Sequence, residues 1–376
     1  MIRHFDESAR RNYRRYVFYN LKILTSKLLI FVILQMTLLG CIDIIDFEIN
    51  EKSNQLVVIG EITTLPGPYE VKLSKATDFD TPSYERNNII TDAEVFITVN
   101  DGQMEKLTHR QNGSYFTGID GIKGEIGKTY SLTIITKDKA IYQSTSELIV
   151  ESPSIDSIYF EYEVGAEFIN DVQVPQRHVN IYIDTSDDPS TNNYYSWSWL
   201  GTYKFLSYPE LFVINRTIVP LPCSYDGCSC CLCWVTSNEQ NELSIKNDQF
   251  NNGNNIYGQL VGQIPITGRH VQFKYYIKVF QRTLSKKAYD FWSLVKDQQT
   301  SNSLAATPPA QIIGNIKNIN DPEEIIWGYF SASDLKNKTT FFSIKDFPNY
   351  EPIANDTLKN DCRILPNSTT EIPVYW

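Results

Sequence analysis

Cysteines are the residues of this sequence whose type and spacing most clearly allow chemistry. Apart from Cys41 there are six: Cys223, Cys228, Cys230, Cys231, Cys233 and Cys362. Five of these lie within the eleven residues of CSYDGCSCCLC, and thiolates so closely spaced could bind Zn²⁺ or an iron–sulfur cluster. The spacing argues against a metal, because two separate C-x-x-C pairs are lacking and adjacent Cys230 and Cys231 cannot easily direct both sulfurs at one ion. An even number of cysteines in an oxidising compartment can instead form disulfides. The sequence therefore favours disulfides, with Cys362 paired to one member of the cluster, over a metal site or free thiols.

An aromatic stretch, YYSWSWLGTYKF at residues 194–205, is the second candidate. Strand alternation places Tyr195, Trp197 and Trp199 on one face. That face could belong to the core, or it could be a platform on which a sugar, a peptide or a receptor stacks. The core is the favoured interpretation, and Trp197, Trp199 and Tyr203 are the candidate ligand or partner contacts under the other.

Motifs for catalysis are lacking. The four histidines form no H-E-x-x-H pattern, and neither a G-x-S-x-G elbow nor a Walker loop occurs. Residues 184–189 (DTSDDP) have the composition of a calcium loop but lack its Gly and its trailing Glu, so a solvated turn is favoured. The pair Glu323-Glu324 follows Asp321-Pro322, which fits a helix start better than acid–base chemistry. The sequence predicts a protein that is not an enzyme and uses neither metal nor cofactor, and an exported hydrolase is the least favoured alternative.

Charge is distributed unevenly along the 376 residues. The formal net charge is −10, which makes nucleic acid a poor partner because the chain offers phosphates no basic stripe. Residues 1–40 nevertheless carry seven Lys and Arg against two acids, and residues 41–376 carry a net −15. The two parts are therefore expected to have different fates.

An export signal accounts for the basic N-terminus. Residues 28–39 (LLIFVILQMTLL) are too few to span a bilayer as a helix, and they match the apolar region of a secretory signal behind Lys22 and Lys27. The next residues complete Leu38-Leu39-Gly40-Cys41, which resembles a bacterial lipobox. That resemblance implies a signal peptide over residues 1–40, acylation of Cys41 and a lipidated tether over residues 41–54, since several acyl chains anchor a protein stably. A plain signal peptide or an uncleaved anchor is the alternative.

The rest of the chain shows the alternation of half-buried strands. Segments at residues 56–62, 69–74, 93–99 and 127–135 alternate apolar and polar residues, separated by Pro and Gly. This pattern predicts a mainly β chain with an Ig-like or transthyretin-like β-sandwich over residues 55–150. A larger β-rich domain is predicted over residues 151–376, with one clear helix near residues 285–298 and Ser285 as its N-cap.

A set of ordered segments spans most of the mature chain. It comprises LVVIGE (56–61), GPYEVKLS (67–74), DAEV (92–95), GKTYSL (127–132), CW (233–234), LSKKAYDFW (284–292), GNI (314–316), DPEE (321–324) and GYFSAS (328–333). In this order the segments resemble the Bacteroidota outer-membrane lipoproteins catalogued as domain of unknown function 4249. The resemblance implies a lipoprotein that accompanies a TonB-dependent receptor of the starch-utilisation type. That family has no established catalytic residues to carry over, and this chain departs from it in its extra cysteines around Cys233 and its long N-terminus.

Together these features predict a non-catalytic lipoprotein, anchored to the outer membrane by its acyl chains, on either the surface or the periplasmic face. It is expected to be an accessory or binding partner of a TonB-dependent receptor in nutrient uptake. A surface adhesin or structural lipoprotein is the alternative. No residue points to the identity of the ligand.

Overall fold

Strands form most of the chain in the computed structural model, which describes residues 55–76, 88–169, 172–187, 189, 193–237, 243–248, 253–300 and 312–376. The predicted mainly β class is confirmed. The predicted signal peptide and the tether with Cys41 lie outside the described residues. Within the described ranges, no helix combines the length and the apolar character needed to cross a membrane.

The first strands follow the predicted alternation closely. Before residue 151 they are β1 (Leu56–Thr63), β2 (Glu70–Lys75), β3 (Glu94–Val99), β4 (Met104–Lys106), β5 (Thr108–Gln111), β6 (Ser114–Phe116), β7 (Thr129–Ile135), β8 (Ile141–Ser144) and β9 (Glu147–Leu148). After it they are β10 (Ile155–Ile169), β11 (Val172–Thr185), β12 (Tyr194–Leu206), β13 (Val213–Ile214), β14 (Thr217–Ile218), β15 (Leu232–Ser237), β16 (Ser244–Asn247), β17 (Ile256–Pro265), β18 (Tyr275–Thr283), β19 (Ile316–Asn318), β20 (Trp327–Ser333), β21 (Leu335–Phe342) and β22 (Ser368–Thr369). One α-helix, α1 (Lys286–Thr300), and four short 3-10 turns complete the described elements.

Two sheets enclose the first core and are called the first sandwich below. One has the strand order β20-β1-β2-β6-β5, and the other has β19-β8-β7-β3-β4 with β9 paired to β7. Every second residue of β7 is buried, so that Tyr130, Leu132 and Ile134 point into a core shared with Val58 and Val71. A strand with this period hides one face and leaves the other to solvent.

Strand β20 joins the first sandwich by pairing in parallel with β1. Gly328 makes this possible, because its φ is +95° and a Cβ there would lie 1.9 Å from the Val58 carbonyl oxygen. Ile316 of β19 and Phe330 of β20 are buried in the same core. The predicted division at residue 151 therefore needs correction, since the apolar faces of β19 and β20 return to the N-terminal core.

Two further sheets form the second sandwich. The sheet β10-β11-β17 packs on the sheet β21-β18-β12-β15-β22, to which β16 adds by pairing with β12. Ile181 and Ile183 of β11 share a core with Trp197 of β12 and Ile277 of β18. Strand β12 lies between β18 and β15 and therefore has neighbours on both edges.

Helix α1 begins where the sequence predicts. The Ser285 hydroxyl accepts a hydrogen bond from the Ala288 amide at 3.1 Å, which satisfies one of the free donors of the first turn. Ala288 and Phe291 are buried against Tyr329 of β20. The helix therefore packs on the second face of a strand whose other face belongs to the first sandwich.

Candidate functional site

A cleft of about 790 Å³ lies where the two sandwiches meet. One wall comes from β1 and β2 and includes Ile59 and Glu61, whereas the other comes from β12, β18 and α1 and includes Ser198, Arg282 and Trp292. Ligand sites typically have volumes of about 300–1,000 Å³ and lie preferentially at such junctions. The cleft is therefore the candidate site of this chain.

An ion pair forms the floor of the cleft. Arg282 Nη1 donates to Glu61 Oε2 at 3.2 Å and its Nη2 donates to Ser198 Oγ at 3.1 Å. The other carboxylate oxygen of Glu61 accepts from Ser333 Oγ at 3.0 Å. The Arg282 and Glu61 side chains remain 24% and 27% exposed, so a ligand in the cleft can reach both charges.

A buried aspartate holds the two sandwiches together beside the cleft. Asp334 is 1% exposed, and its carboxylate accepts from Thr64 Oγ1 at 2.5 Å and from the Ser152 amide at 2.8 Å. Lys336 Nζ lies 3.1 Å from the same carboxylate and supplies the opposite charge. Because Thr64 and Ser152 lie far apart in sequence, this side chain fixes the position of the loop that leads from β20 to β21.

A tyrosine lines the cleft and is anchored from behind. The Tyr329 hydroxyl donates to Glu147 Oε1 at 2.8 Å, and Asn315 Nδ2 donates to the same oxygen at 3.2 Å. Burial and the negative charge of Glu147 raise the pKa of Tyr329, so the phenol stays neutral and remains a donor. The ring is thereby held rigidly against Phe291 of α1, with their centroids 5.0 Å apart.

Comparison with known families gives a match across both sandwiches. A family model described as a domain of unknown function (DUF4249) matches residues 42–339. The chain belongs to the DUF4249 family. This membership confirms the resemblance that the ordered segments indicated. A search of curated proteins finds no match.

The aromatic stretch of this DUF4249 chain lies in the core. Trp197, Trp199 and Tyr203 are 1%, 2% and 6% exposed, and the Trp197 indole donates to Gln281 Oε1 at 2.8 Å. The structure corrects their assignment as candidate ligand or partner contacts, because their rings face the second core rather than solvent. The neighbouring serines, including Ser198, occupy the outward side of β12 and line the cleft, which the buried Trp197 also borders.

The six cysteines pair as three disulfides, as the sequence favoured. They are Cys223–Cys230, Cys228–Cys231 and Cys233–Cys362, with Cα–Cα distances of 5.7, 5.4 and 5.8 Å. Cys362 joins the cluster across 129 residues, and both members of that bond are fully buried. Cys223 and Cys230 also lie close to Asp361, but sulfurs bonded to each other are not available as thiolate ligands.

Asp184 lies at the end of β11 rather than in the expected solvated turn, and neutral donors satisfy both its carboxylate and that of Asp187, which is buried. Asp184 accepts from Ser157 Oγ at 2.7 Å, and Asp187 accepts from Tyr195 OH at 2.6 Å and from the Gly253 amide at 2.8 Å. Both carboxylates are thus engaged by protein donors, and among the described residues neither belongs to a cluster of potential metal ligands.

The helix start expected at Asp321-Pro322 was wrong. These residues form a turn, and Glu324 instead accepts from Asn318 Nδ2 at 2.5 Å and from Tyr142 OH at 3.1 Å. The contact of Glu324 with Tyr142, which is 182 residues away, holds the segment in place of helical hydrogen bonds.

Sequence reasoning missed the two charges at the floor of the cleft. Arg282 occupies an outward position of β18, and a signal for it existed in the four-residue spacing of Lys278 and Arg282, which fall on one face of a strand. Glu61 carries no comparable signal, because its partner lies 221 residues away.

Proposed function

We propose that this chain is an outer-membrane-anchored lipoprotein that acts as a non-catalytic binding partner of a TonB-dependent receptor in nutrient uptake. The observation that carries the binding role is the cleft with the Arg282–Glu61 pair at its floor. Its volume suits a small solute, and its lining combines apolar side chains with charged and hydroxyl groups in similar number. The carboxylates of Glu61 and Glu70 that line it are already engaged, with Arg282 and with Ser114, which favours binding over acid–base catalysis.

The membrane attachment is supported by the residues around Cys41. An apolar run followed by Leu38-Leu39-Gly40-Cys41 suits a lipidated N-terminus, and the net −15 of residues 41–376 suits a body held away from an anionic membrane surface. The receptor partnership and a Bacteroidota source rest on the family resemblance. The hydrogen-bonded Asp334 supports a rigid body that could present one face to a receptor.

Anchoring is tested by labelling cells with an alkyne fatty acid. The full chain should incorporate the label and partition with the outer membrane, and Cys41→Ala should lose both properties. Label that survives in Cys41→Ala would show that acylation at this residue is not the anchor.

Partnership is tested by extracting the tagged full chain in mild detergent and identifying what copurifies. A large β-barrel receptor is expected in stoichiometric amount. Recovery of no barrel protein, together with normal growth of a deletion strain on all nutrients and reduced attachment to surfaces, would support the adhesin alternative instead.

The role of the cleft is tested by filling it. Ser198→Trp should leave receptor copurification intact and impair growth on the nutrient for which deletion of the gene causes a defect. Thr108→Trp is the matched control, because Thr108 is exposed on β5 and does not line the cleft. Equal growth of the two variants would contradict a role for the cleft.

A further inference from the structure

A row of alternating cations and aromatic rings runs along the outward face of β18. Tyr276, Lys278, Phe280 and Arg282 alternate along β18 with the fully buried Ile277 and Val279, and Lys274 directly precedes the strand. A strand advances about 3.3 Å per residue, so cations four residues apart are about 13 Å from each other and the row is about 26 Å long. This set of five residues is called the cation row. It ends at Arg282, which is also the floor of the cleft.

The strands that carry the cation row contribute no acid to this face, although Glu61 of β1 pairs with Arg282 at its end. The outward positions of β12, β15, β18 and β21 hold serine, threonine, asparagine, leucine, aromatic and basic residues, and none is Asp or Glu. This is unusual in a chain with 44 acids and 34 bases. In the described part of the chain, Lys274 and Lys278 make no ion pair, unlike Arg282.

Aromatic rings hold the lysines against the sheet. Lys274 Nζ lies 3.9 Å from the centroid of Phe341 and 5.3 Å from that of Trp376, and Lys278 Nζ lies 5.1 Å from that of Phe280. Such contacts position an ammonium group without neutralising it. Tyr375 stacks on Tyr276 with centroids 4.2 Å apart and remains 41% exposed, so a ring is presented between the cations.

Like charges crowd one end of the row. The register of β12 and β18 ends at the pair Tyr203–Tyr275, and Lys204 and Lys274 each adjoin a member of this pair. Lys204 also lies over rings, 4.8 Å from the centroid of Phe273. Lysines clustered at one end of the row raise the positive potential there. The arrangement therefore favours a negatively charged occupant.

From this geometry we infer that the cation row and the cleft together bind an acidic polysaccharide, with one end of the sugar chain in the cleft. The inference rests on the proposed binding role and specifies its ligand class. Cations about 13 Å apart match a polymer with sparse charges. Nucleic acid carries a phosphate every 3.4 Å along each strand. Most of these phosphates would find no lysine opposite them and would be repelled by the protein, whose net charge is −10. A sugar chain also offers hydroxyl groups to Ser196 and Ser198 of the cleft, and offers its apolar ring faces to Tyr375, which an acidic peptide does not.

The test measures binding of the purified full chain in detergent to four polymers: hyaluronate, which has a carboxylate on alternate sugars, neutral dextran, polyglutamate and single-stranded DNA. Hyaluronate should bind and dextran should not. The affinity for hyaluronate should fall as salt is added, because the lysines contribute as exposed charges. Polyglutamate or DNA binding as tightly as hyaluronate would overturn the assignment to a polysaccharide.

The residues are tested by Lys274→Gln/Lys278→Gln. Two exposed ion pairs contribute enough that their loss should weaken hyaluronate binding by about tenfold. The matched control is Lys287→Gln/Lys317→Gln, which removes the same charge at exposed positions away from the row and should bind within about twofold of the parent. Both variants should melt at the temperature of the parent, since none of the four lysines is buried.

Equal losses in the two variants, or no binding of hyaluronate by the parent, would overturn the inference. A receptor that still copurifies in that case would leave the proposed function standing. Loss of the receptor with hyaluronate binding intact would contradict the proposed receptor partnership and would leave the inference about the ligand standing.

Discussion

Removing the Cys233–Cys362 disulfide should destabilise the second sandwich more than removing either neighbouring bond. A cross-link lowers the entropy of the unfolded chain, and its effect grows with the length of the closed loop. The Cys233–Cys362 bond closes 129 residues and the Cys223–Cys230 bond closes 7. The chain-entropy relation gives about 5 kcal/mol for the long loop and about 2.4 kcal/mol for the short one.

The position of the bond supports the larger effect. Cys233 and Cys362 are fully buried in the second core, and the Cys362 amide donates to the Cys230 carbonyl at 3.0 Å. Beyond Cys362, β22 pairs with β15 through Trp234 and Val235. The loss of this bond should therefore release the C-terminal strand as well as lengthen the free loop.

The assay is equilibrium unfolding in urea of Cys233→Ala/Cys362→Ala beside Cys223→Ala/Cys230→Ala. Alanine is chosen because a serine hydroxyl in the core would add the cost of an unpaired polar group. The first double variant should lose roughly twice the free energy of unfolding that the second loses. Equal losses, or a larger loss in the second variant, would refute the reasoning from loop length.

Three further predictions follow from burial and charge. Trp199→Ala should lower the free energy of unfolding by about 3–5 kcal/mol in urea, because Trp199 is 2% exposed, and an unchanged stability would restore the exposed-platform interpretation. Burial lowers the pKa of His270 to about 4, below its value of about 6.5 in the unfolded chain, so the unfolded state gains the proton first. Stability should therefore be full above pH 6.5 and should fall by up to about 3 kcal/mol as the pH drops to 4, and His270→Gln should remove that part of the slope in urea midpoints measured across this range. A double-mutant cycle of Glu61→Gln and Arg282→Gln should give a coupling of about 1 kcal/mol, since both side chains are about a quarter exposed, and additive losses would show that the pair contributes nothing.

Local patterns in the sequence predicted the elements well. The alternation at residues 127–135 became β7, and Ser285 caps α1, because strand period and helix capping depend on residues only a few positions apart. The preference of the six cysteines for disulfides also followed from their even count and from the expected export. The assignment of Trp197 and Trp199 stayed open between core and platform, because alternation defines a face without saying what covers it.

Features that depend on contacts between residues far apart in sequence could not be predicted from local patterns. The return of β20 to β1 depends on a glycine at residue 328 that tolerates φ of +95° against Val58. Asp321-Pro322 reads as a helix start, yet the contact of Glu324 with Tyr142 holds a turn there. In both cases a contact between distant residues outweighs the local preference.

The sequence by itself determined the mainly β class, the family, the expectation of an export signal and the redox state of the cysteines, since composition, periodicity and short motifs carry that information. Only the tertiary structure decided which cysteines pair, which face of β12 is buried, and that Glu61 meets Arg282 at a cleft. The physical reason is that these features arise from packing between strands more than a hundred residues apart, where the burial of apolar faces brings together charges that no local pattern relates.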